Sequence, residues 1–237
     1  MQIFYLPDFS EGNNILSEEE SRHCINVLRH KKDDLIHVTD GKGNLFSALI
    51  TTAHSKKCAI SIKESLPVNN RRDFSIEIAL APVKSADRNE WFVEKCVELG
   101  VDKIHFIHCE NSERRHLNPA RMERIAISAM KQSLNFNLPK ISELQKFNNF
   151  LASLNDMDIQ KFIAWVDKEQ RNKHLFNVAE KKGKYLVLIG PEGDFSEKEI
   201  NLAIECGFTP ISLGNSRLRT ETAGIATCHI LNLVNDI

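Results

Sequence analysis

Several patterns that identify common protein classes are missing from this 237-residue chain. Its six cysteines are far apart and include no Cys-x-x-Cys pair, so their spacing predicts neither a zinc site nor a disulfide framework. Reduced, buried thiols in a cytoplasmic protein fit this distribution better. No apolar run approaches the ~20 residues of a membrane span, and the first residues lack the basic and apolar regions of a secretory leader. We therefore expect a cytoplasmic protein with no membrane segment.

The chain also has little excess charge of either sign, because 31 basic residues nearly balance 32 acidic ones. Binding to a nucleic acid would therefore depend on local clusters rather than on the field of the whole protein. A charge cluster taken alone is most often a solvated face. Basic residues cluster in three segments: Arg22, His23 and Arg29 to Lys32; Arg71 and Arg72; and Arg114, Arg115, His116, Arg121 and Arg124.

The 42% hydrophobic content is enough to bury one large core or two small ones. The first part of the chain has short strand-like segments and one helix, predicted over Ser17–Leu28 with Ser17 and Glu20 spaced as a capping box. The turn formers of Asp40–Asn44 predict a hairpin connection. These features together predict a small β-barrel, with strands expected at Ile3–Leu6, Leu35–Thr39, Leu45–Ile50 and Cys58–Ile62.

Segment 67–73 contains turn formers and charges, and the apolar pattern changes after it, so we place a domain boundary there. The expected domains are residues 1–68 and residues 74–237. In the second domain strands alternate with helices, which predicts an α/β fold with a parallel sheet covered by helices on both faces. The predicted strands are Phe74–Val83, Lys103–His108, Phe162–Val166, Tyr185–Ile189 and Pro210–Leu213, and the predicted helices are Asn89–Leu99, Pro119–Ser133, Glu197–Cys206 and Glu221–Asn235.

The last predicted helix is apolar on nearly all sides. Such a helix must be covered on more than one side. Two interpretations remain open: full burial within one subunit, or contact with a second copy of the chain in a homodimer.

Two loops that follow predicted strands are candidates for a ligand site, Gly190–Asp194 and Ser212–Gly224. Ligands bind outside the carboxyl ends of the strands in such sheets, and two loops at adjacent strand ends predict a site. Neither loop has the Gly-x-Gly-x-x-Gly fingerprint of a dinucleotide site or the Gly-Lys-Ser/Thr of a phosphate loop. The carboxylates of Glu192 and Asp194 would repel phosphates, which favours a neutral or cationic ligand.

Four stretches of the sequence are specific in combination: "KSADRNEWFVEKCVELGV", "ERIAISAMKQS", "LIGPEGDFSEKEI" and "LGNSRLRTETAG". With them the chain resembles, over nearly its whole length, the ribosomal RNA small subunit methyltransferase E family of the SPOUT superfamily. The resemblance implies an N-terminal PUA-like β-barrel that helps to bind RNA, a SPOUT-type α/β domain with a C-terminal trefoil knot, and a homodimer. The implied activity is methylation of N3 of one uridine in the decoding region of 16S rRNA, in the small ribosomal subunit, with S-adenosylmethionine as cofactor.

The resemblance also implies roles for individual residues. The cofactor pocket would be formed by Leu188, Ile189, Gly190, Glu192, Gly193, Leu213, Gly214, Leu218 and Thr222. The candidate RNA contacts, from the matched positions and the basic clusters, are Arg22, Arg29, Lys84, Arg115 and Gln132. The sequence departs from the family's pattern at three places: Asp194 replaces a usual second glycine, Ser216-Arg217 replaces Arg-Ile, and Asn135-Phe136 stands near where an arginine commonly follows Gln132.

Methylation at N3 requires that the proton on the uracil nitrogen leaves and that the developing negative charge meets a cation. Arg219 and Arg114 are the candidate cations, and Glu221 is the candidate proton acceptor, with Glu192 behind it. Simpler explanations remain open for two of them. An acid in the first turn of a helix is favoured by the macrodipole alone, and Arg219 would equally suit a phosphate clamp.

Two other functions remain open: a SPOUT methyltransferase for another RNA target, such as a tRNA, and a non-catalytic RNA-binding assembly factor. A nucleotide-dependent dehydrogenase would need the glycine fingerprint that the sequence lacks. The histidines at 105, 108 and 116 do not have the spacing of a helical metal-binding pair, so we expect no metal.

Overall fold

The computed structural model of the chain describes residues 1–7, 14–68, 72–154, 158–165 and 172–236. The chain divides into two compact units. The first comprises Met1–Arg71 and Ile127–Leu138, and the second comprises Arg72–Ala126 and Pro139–Ile237. Residues 69–71, at the centre of the expected domain boundary, and Val166, the predicted end of a strand, lie outside the described residues.

Four strands form the sheet of the first unit: β1 (Ile3–Tyr5), β2 (Leu35–Thr39), β3 (Leu45–Thr52) and β4 (Ala59–Leu66). They lie side by side in chain order, with β1 parallel to β2 and the other neighbours antiparallel. The four predicted strands are therefore confirmed, with some difference in their ends. The predicted hairpin is confirmed as well, because Asp40 Oδ1 accepts a 2.8 Å hydrogen bond from the N–H of Lys42 between β2 and β3.

The helix of the first unit differs from the prediction in two ways. Helix α1 spans only Glu18–Arg22, and the chain continues as a π-helical turn over His23–Val27. Ser17 caps α1 as predicted, because its Oγ accepts a hydrogen bond from the N–H of Glu20. The capping box is only half formed, since one Glu20 carboxylate oxygen pairs with Lys131 and the other has no hydrogen-bond partner among the described residues. Lys131 is remote in sequence, so local spacing could not predict this pairing.

Seven strands form the sheet of the second unit: β5 (Ser75–Leu80), β6 (Lys103–His108), β7 (Lys140–Lys146), β8 (Gln160–Ala164), β9 (Lys173–His174), β10 (Lys184–Ile189) and β11 (Thr209–Ser212). Their order across the sheet is β7-β6-β5-β10-β8-β11-β9. Every neighbouring pair is parallel, as the alternation of strands and helices predicts.

The remaining helices are α2 (Ala86–Glu98), α3 (Pro119–Gln132), α4 (Phe147–Ala152), α5 (Leu175–Val178), α6 (Glu197–Glu205) and α7 (Thr220–Asp236). The residues of α3 from Ile127 onward belong to the first unit. Four of the six were predicted, and the capping box of Ser196 and Glu199 at the start of α6 is fully formed. Helices α4 and α5 were not predicted, nor were strands β7 and β9.

Helices cover both faces of the parallel sheet, as expected. Ala79 and Ala81, which point to one face, belong to a core cluster that includes residues of α4 and α6. On the other face, Leu80 lies close to Gly224 of α7 and to α2, because a Cβ built on Gly224 would lie 2.4 Å from Phe92 Cε2 and 3.1 Å from Leu80 Cδ1. Successive side chains of a strand point to opposite faces, so this arrangement follows from the period of two.

The last helix, α7, has two different faces. Its buried stripe includes Glu221, Gly224, Thr227, Cys228 and Leu231. The opposite stripe is only partly buried, and it consists of Thr222, Ile225, Ala226, His229, Ile230 and Leu233. Full burial of α7 within one subunit is therefore wrong, and an apolar stripe of this helix faces outward.

Candidate functional site

Four loops leave the carboxyl ends of strands in the second unit. We call them the β5 loop (residues 81–85), the β6 loop (109–118), the β10 loop (190–196) and the β11 loop (213–219). The β10 and β11 loops do not follow neighbouring strands, as the sequence suggested, because β8 lies between β10 and β11. Strand β8 precedes both in the chain, and consecutive order along the chain does not fix neighbours within a sheet. The β6, β5 and β10 loops do follow neighbouring strands.

The β10 loop is a tight turn whose glycines lie against other residues of the second unit. A Cβ on Gly190 would lie 3.0 Å from Phe195 Cδ2, and one on Gly193 would lie 3.1 Å from Asn111 Cβ. The N–H of Asp194 donates to the carbonyl of Pro191 at 3.0 Å. The close approach of Phe195 and Asn111 is thus one reason for glycine at these positions.

Asp194 adopts a left-handed backbone conformation, with φ of 62°. Glycine enters this region without steric cost, which fits the glycine that the sequence resemblance implies at this position. Aspartate is among the few other residues that tolerate it. Its Oδ1 accepts a 2.8 Å hydrogen bond from the N–H of Phe195. Asp194 is therefore compatible with the left-handed conformation that the turn requires at this position.

Glu192 links the β10 loop to the β5 loop. Its Oε1 accepts a 3.1 Å hydrogen bond from the N–H of Lys84. The Nζ of Lys84 lies 3.2 Å from Oε2 of Glu113 in the β6 loop. All three side chains are exposed to solvent, so the charges at this edge of the sheet remain accessible.

Arg114 links the β6 loop to the β5 loop. Its Nη1 donates a 2.7 Å hydrogen bond to the carbonyl of Lys84, and its Nε donates to the carbonyl of His116 at 3.0 Å. The structure therefore brings together Arg114, Lys84 and Glu192, which the sequence assigned to three different roles. Arg115 is exposed in the same loop.

Two residues that the sequence analysis missed hold the β6 and β10 loops together. The Nδ2 of Asn111 donates to the carbonyls of Gly193 and Asp194, at 3.3 and 3.0 Å. Glu199, besides its role in the α6 capping box, accepts a 2.8 Å hydrogen bond at Oε1 from the N–H of Glu110. Only the capping role had a local sequence signal, because the other contacts join residues that are remote in the chain.

The β11 loop leads into α7 and is mostly exposed. Leu213 and Leu218 are half-buried, whereas Gly214 and Arg219 are exposed. Gly214 has a φ of 125°, and a Cβ on it would meet nothing within 4 Å. Ser212 Oγ accepts a 3.1 Å hydrogen bond from the N–H of Gly214. The loop therefore presents open backbone beside two apolar side chains.

Glu221 lies in the first turn of α7, and its side chain is only 6% exposed. Its Oε1 is 3.6 Å from Nε of Arg88, a half-exposed side chain on α2. A buried carboxylate requires such a partner, because removing a charge from water without compensation is costly. Arg88 was not predicted, since it belongs to another helix. Glu192, which the sequence analysis placed behind Glu221, accepts a hydrogen bond from the β5 loop.

The thiol nearest to these loops in sequence is not suited to nucleophilic chemistry. Cys109 begins the β6 loop and is buried. Burial, together with the charge of Glu199, raises the pKa of the Cys109 thiol well above its usual range. The thiol therefore remains protonated at neutral pH, and the thiolate is the reactive form.

The three RNA candidates of the first unit lie on exposed positions within it. Arg22 forms an ion pair of 3.6 Å with Glu18 on α1. Arg29 has a positive φ of 61°, just after the π-helical turn, and Gln132 ends α3. All three side chains are therefore accessible to a ligand from solvent.

The part of the chain that the structure describes contains neither a metal-binding cluster nor a membrane-spanning helix. No group of three or more His, Cys, Asp or Glu residues there could hold a metal ion. None of the helices described is long and apolar enough to cross a membrane.

Two family models match the sequence. One describes an RNA methyltransferase domain and matches residues 70–232. The other describes an RNA methyltransferase PUA domain and matches residues 16–63. The first unit thus contains a PUA-like domain, and the second contains the parallel α/β sheet of an RNA methyltransferase domain.

Known proteins resemble the chain over its whole length. A crystal structure described as a probable rRNA-methyltransferase from Porphyromonas gingivalis is 40% identical, covers 100% of this chain and 99% of its own, and has a TM-score of 0.92. The ribosomal RNA small subunit methyltransferase E from Neisseria gonorrhoeae, crystallised with S-adenosyl methionine, is 28% identical, with coverages of 99% and 98% and a TM-score of 0.88. The enzyme of the same name from Mesomycoplasma hyopneumoniae is 28% identical, over 95% of this chain and 96% of its own.

Proposed function

We propose, from the premise that this chain belongs to the ribosomal RNA small subunit methyltransferase E family, that it methylates N3 of one uridine in the decoding region of 16S rRNA. Methylation of small-subunit rRNA and the cofactor S-adenosylmethionine follow from the family. The nitrogen, the nucleotide and the assembled small subunit as substrate are our proposal. The observation that carries it is the presence of the family's two C-terminal motifs in the β10 and β11 loops, at the carboxyl edge of one parallel sheet.

The residues at this edge fit S-adenosylmethionine by their chemistry. The half-buried Leu213 and Leu218 suit an apolar ring, and the open backbone at Gly214 offers polar groups beside them. The exposed Glu192 carboxylate suits a cation. We propose that the cofactor is held by Leu188, Ile189, Gly190, Glu192, Gly193, Leu213, Gly214, Leu218 and Thr222. When bound, it supplies an electrophilic methyl group on a positively charged sulfur.

The chain's own residues must align the uracil and manage the proton at N3. The base has to be unpaired and exposed before N3 can react. We propose that Arg219 and Arg114 stabilise the negative charge that develops on the ring, because preorganised cations act where charge develops. Glu221 is the proposed proton acceptor, and its ion pair with Arg88 fixes the position of the carboxylate.

Exposed basic and polar side chains on both units are the proposed RNA contacts. On the second unit these are Lys84 and Arg115, beside Arg114. On the first unit they are Arg22, Arg29 and Gln132. Phosphate contacts of this kind supply affinity and position, whereas base contacts supply specificity. We propose accordingly that residues 1–68, together with Ile127–Leu138 of the same compact unit, form an RNA-binding domain, and that the rest of residues 74–237 forms the methyltransferase domain. The closed barrel in the former and the trefoil knot in the latter, both typical of the family, belong to the same proposal.

A homodimer is proposed from the outward stripe of α7. Four of its six residues are apolar, and Thr222 adds a methyl group, so that His229 is the one strongly polar side chain of the stripe. Leu233 in this stripe is 36% exposed. An apolar stripe on a helix favours contact with another surface.

We expect the wild-type protein to sediment as a dimer and Leu233→Lys to shift it toward monomer. Ile204→Lys, at an apolar side chain on α6 that is 45% exposed, is the matched control and should leave the dimer intact. A variant Leu233→Lys that sediments like the wild type would contradict this interface.

The function is tested by nucleoside mass spectrometry of 16S rRNA from a strain that lacks the gene. We expect 3-methyluridine to disappear from this rRNA and to return when the gene is supplied on a plasmid. Undiminished 3-methyluridine would remove the assignment.

Methylation in vitro separates the remaining alternatives. Purified small subunits from the deletion strain should accept a methyl group, whereas tRNA should not. Methylation of tRNA alone would instead indicate another SPOUT target. Absence of S-adenosylmethionine binding at millimolar concentration would favour a non-catalytic assembly factor.

A further inference from the structure

Three loops at the carboxyl edge of the sheet form a closed series of contacts, which we call the loop ring. The β10 loop bonds to the β5 loop through Glu192 and the N–H of Lys84. The β5 loop bonds to the β6 loop through the carbonyl of Lys84 and Arg114 Nη1, at 2.7 Å. The β6 loop returns to the β10 loop through Asn111 Nδ2 and the carbonyls of Gly193 and Asp194.

Asn111 differs from the other members of the loop ring. Glu192 and Gly193 are proposed to meet the cofactor, and Lys84 and Arg114 to meet the RNA. Asn111 has no such proposed role. Its side-chain amide donates both of its hydrogen bonds to two neighbouring backbone carbonyls. Both partners are acceptors, so the amide orientation is fixed by the hydrogen bonds themselves. Its Cβ also lies within 3.1 Å of the position that a Cβ on Gly193 would occupy.

The contact of Asn111 with the β10 loop matters because Asn111 lies close to Arg114 along the β6 loop. Asn111 and Arg114 are three residues apart, and the segment before them is anchored by Glu199 to the N–H of Glu110. Cys109 is anchored as well, because its N–H donates to Ser112 Oγ at 3.0 Å. A short, hydrogen-bonded segment therefore connects the Gly193 carbonyl to Arg114.

We infer that Asn111 is a positioning residue that couples the two ligand sites, so that occupation of the cofactor site at the β10 loop strengthens RNA binding at Arg114. The inference rests on the proposed function of both sites. Coupling of this kind is reciprocal, so bound RNA strengthens cofactor binding by the same factor. The element that both ligands bias is the β10 loop together with the β6 loop.

The test measures RNA affinity with and without an unreactive cofactor. Small subunits from the deletion strain are titrated with enzyme in the absence and presence of saturating S-adenosylhomocysteine, which cannot donate a methyl group. For the wild type we expect S-adenosylhomocysteine to increase the affinity of the enzyme for small subunits about fivefold or more. Fivefold is the lower end of typical coupling between two sites. For Asn111→Ala we expect the ratio of the two affinities to fall to about one. Asn111→Gln, which keeps the amide donor, should restore part of the ratio.

The matched control is Asn201→Ala, at an exposed asparagine on α6. It should keep the wild-type ratio. Asn111 is itself exposed, so its replacement should leave the melting temperature close to that of the wild type, and a general loss of stability would not change the ratio of affinities. Calorimetry measures the affinity of the enzyme for S-adenosylhomocysteine with and without bound small subunits. The ratio of these two affinities must equal the ratio of the two RNA affinities.

Two outcomes overturn the inference. One is a wild-type ratio of one in an enzyme that methylates small subunits, and the other is an unchanged ratio in Asn111→Ala. Either leaves the proposed function standing, because methyl transfer by the same wild-type preparation is measured separately. A wild-type enzyme that transfers no methyl group to small subunits would overturn the proposed function instead.

Discussion

Replacement of Arg219 by alanine should lower kcat for methyl transfer about 10²- to 10³-fold, the usual cost of removing one group that stabilises developing charge. The side chain is exposed, between the β11 loop and α7, so its loss should affect neither folding nor the proposed dimer. Its backbone carbonyl, which accepts a 2.8 Å hydrogen bond from the N–H of Ala223, is retained in the variant. Single-turnover rates on small subunits at saturating cofactor measure the effect directly.

The division of the effect between kcat and KM distinguishes two roles of Arg219. A group that acts on the transition state lowers kcat, whereas a phosphate clamp mainly raises KM for the RNA. Arg217→Ala, at another exposed arginine of the same loop, is the matched control and should change kcat little. Arg219→Lys should recover part of the rate, because it keeps the charge but loses the planar fork of donors. An Arg219→Ala enzyme with normal kcat and a raised KM would assign this residue to RNA binding.

The elements that the sequence predicted best are those whose hydrophobic pattern is decided locally. Strand β10 is buried along nearly its whole length, and α6 begins at a complete capping box, so both had strong local signals. Strand β7, with the sequence KISELQK, has no clear alternation and forms at the edge of the sheet by pairing with β6. Its strand conformation depends on a neighbour that is distant in sequence. Propensity in strands is strongly dependent on such context.

The same distinction separates the predicted from the unpredicted parts of the site. The sequence predicted that loops follow β10 and β11, because glycines and turn formers mark the ends of strands. It could not predict the hydrogen bonds of Asn111 to the β10 loop or the ion pair of Arg88 with Glu221, because each joins residues from different elements. It also placed the β10 and β11 loops on adjacent strands, an error that only the insertion of β8 between them reveals.

Replacement of Gly224 by alanine should destabilise the protein by about 1 to 2 kcal/mol, although alanine is the better helix former. In an open helix position this change would stabilise by about 1 kcal/mol. Here the added Cβ would lie 2.4 Å from Cε2 and 2.9 Å from Cδ2 of Phe92, a ring that is fully buried. Overpacking of a well-packed core typically costs about 1 to 3 kcal/mol. The free energy of unfolding, from urea titration at fixed protein concentration, measures the sign as well as the size of the effect.

A second substitution tests whether the overlap with Phe92 is the cause. Phe92→Leu shortens the side chain that Gly224→Ala would strike, so the double variant should be more stable than the sum of the two single effects predicts. The fit between α7 and α2 also matters for the site, because α7 carries Glu221 and α2 carries its partner Arg88. Displacement of α7 should therefore lower kcat in Gly224→Ala even where the enzyme is still folded. Stabilisation by Gly224→Ala, or strict additivity with Phe92→Leu, would show that α7 and α2 do not pack this closely.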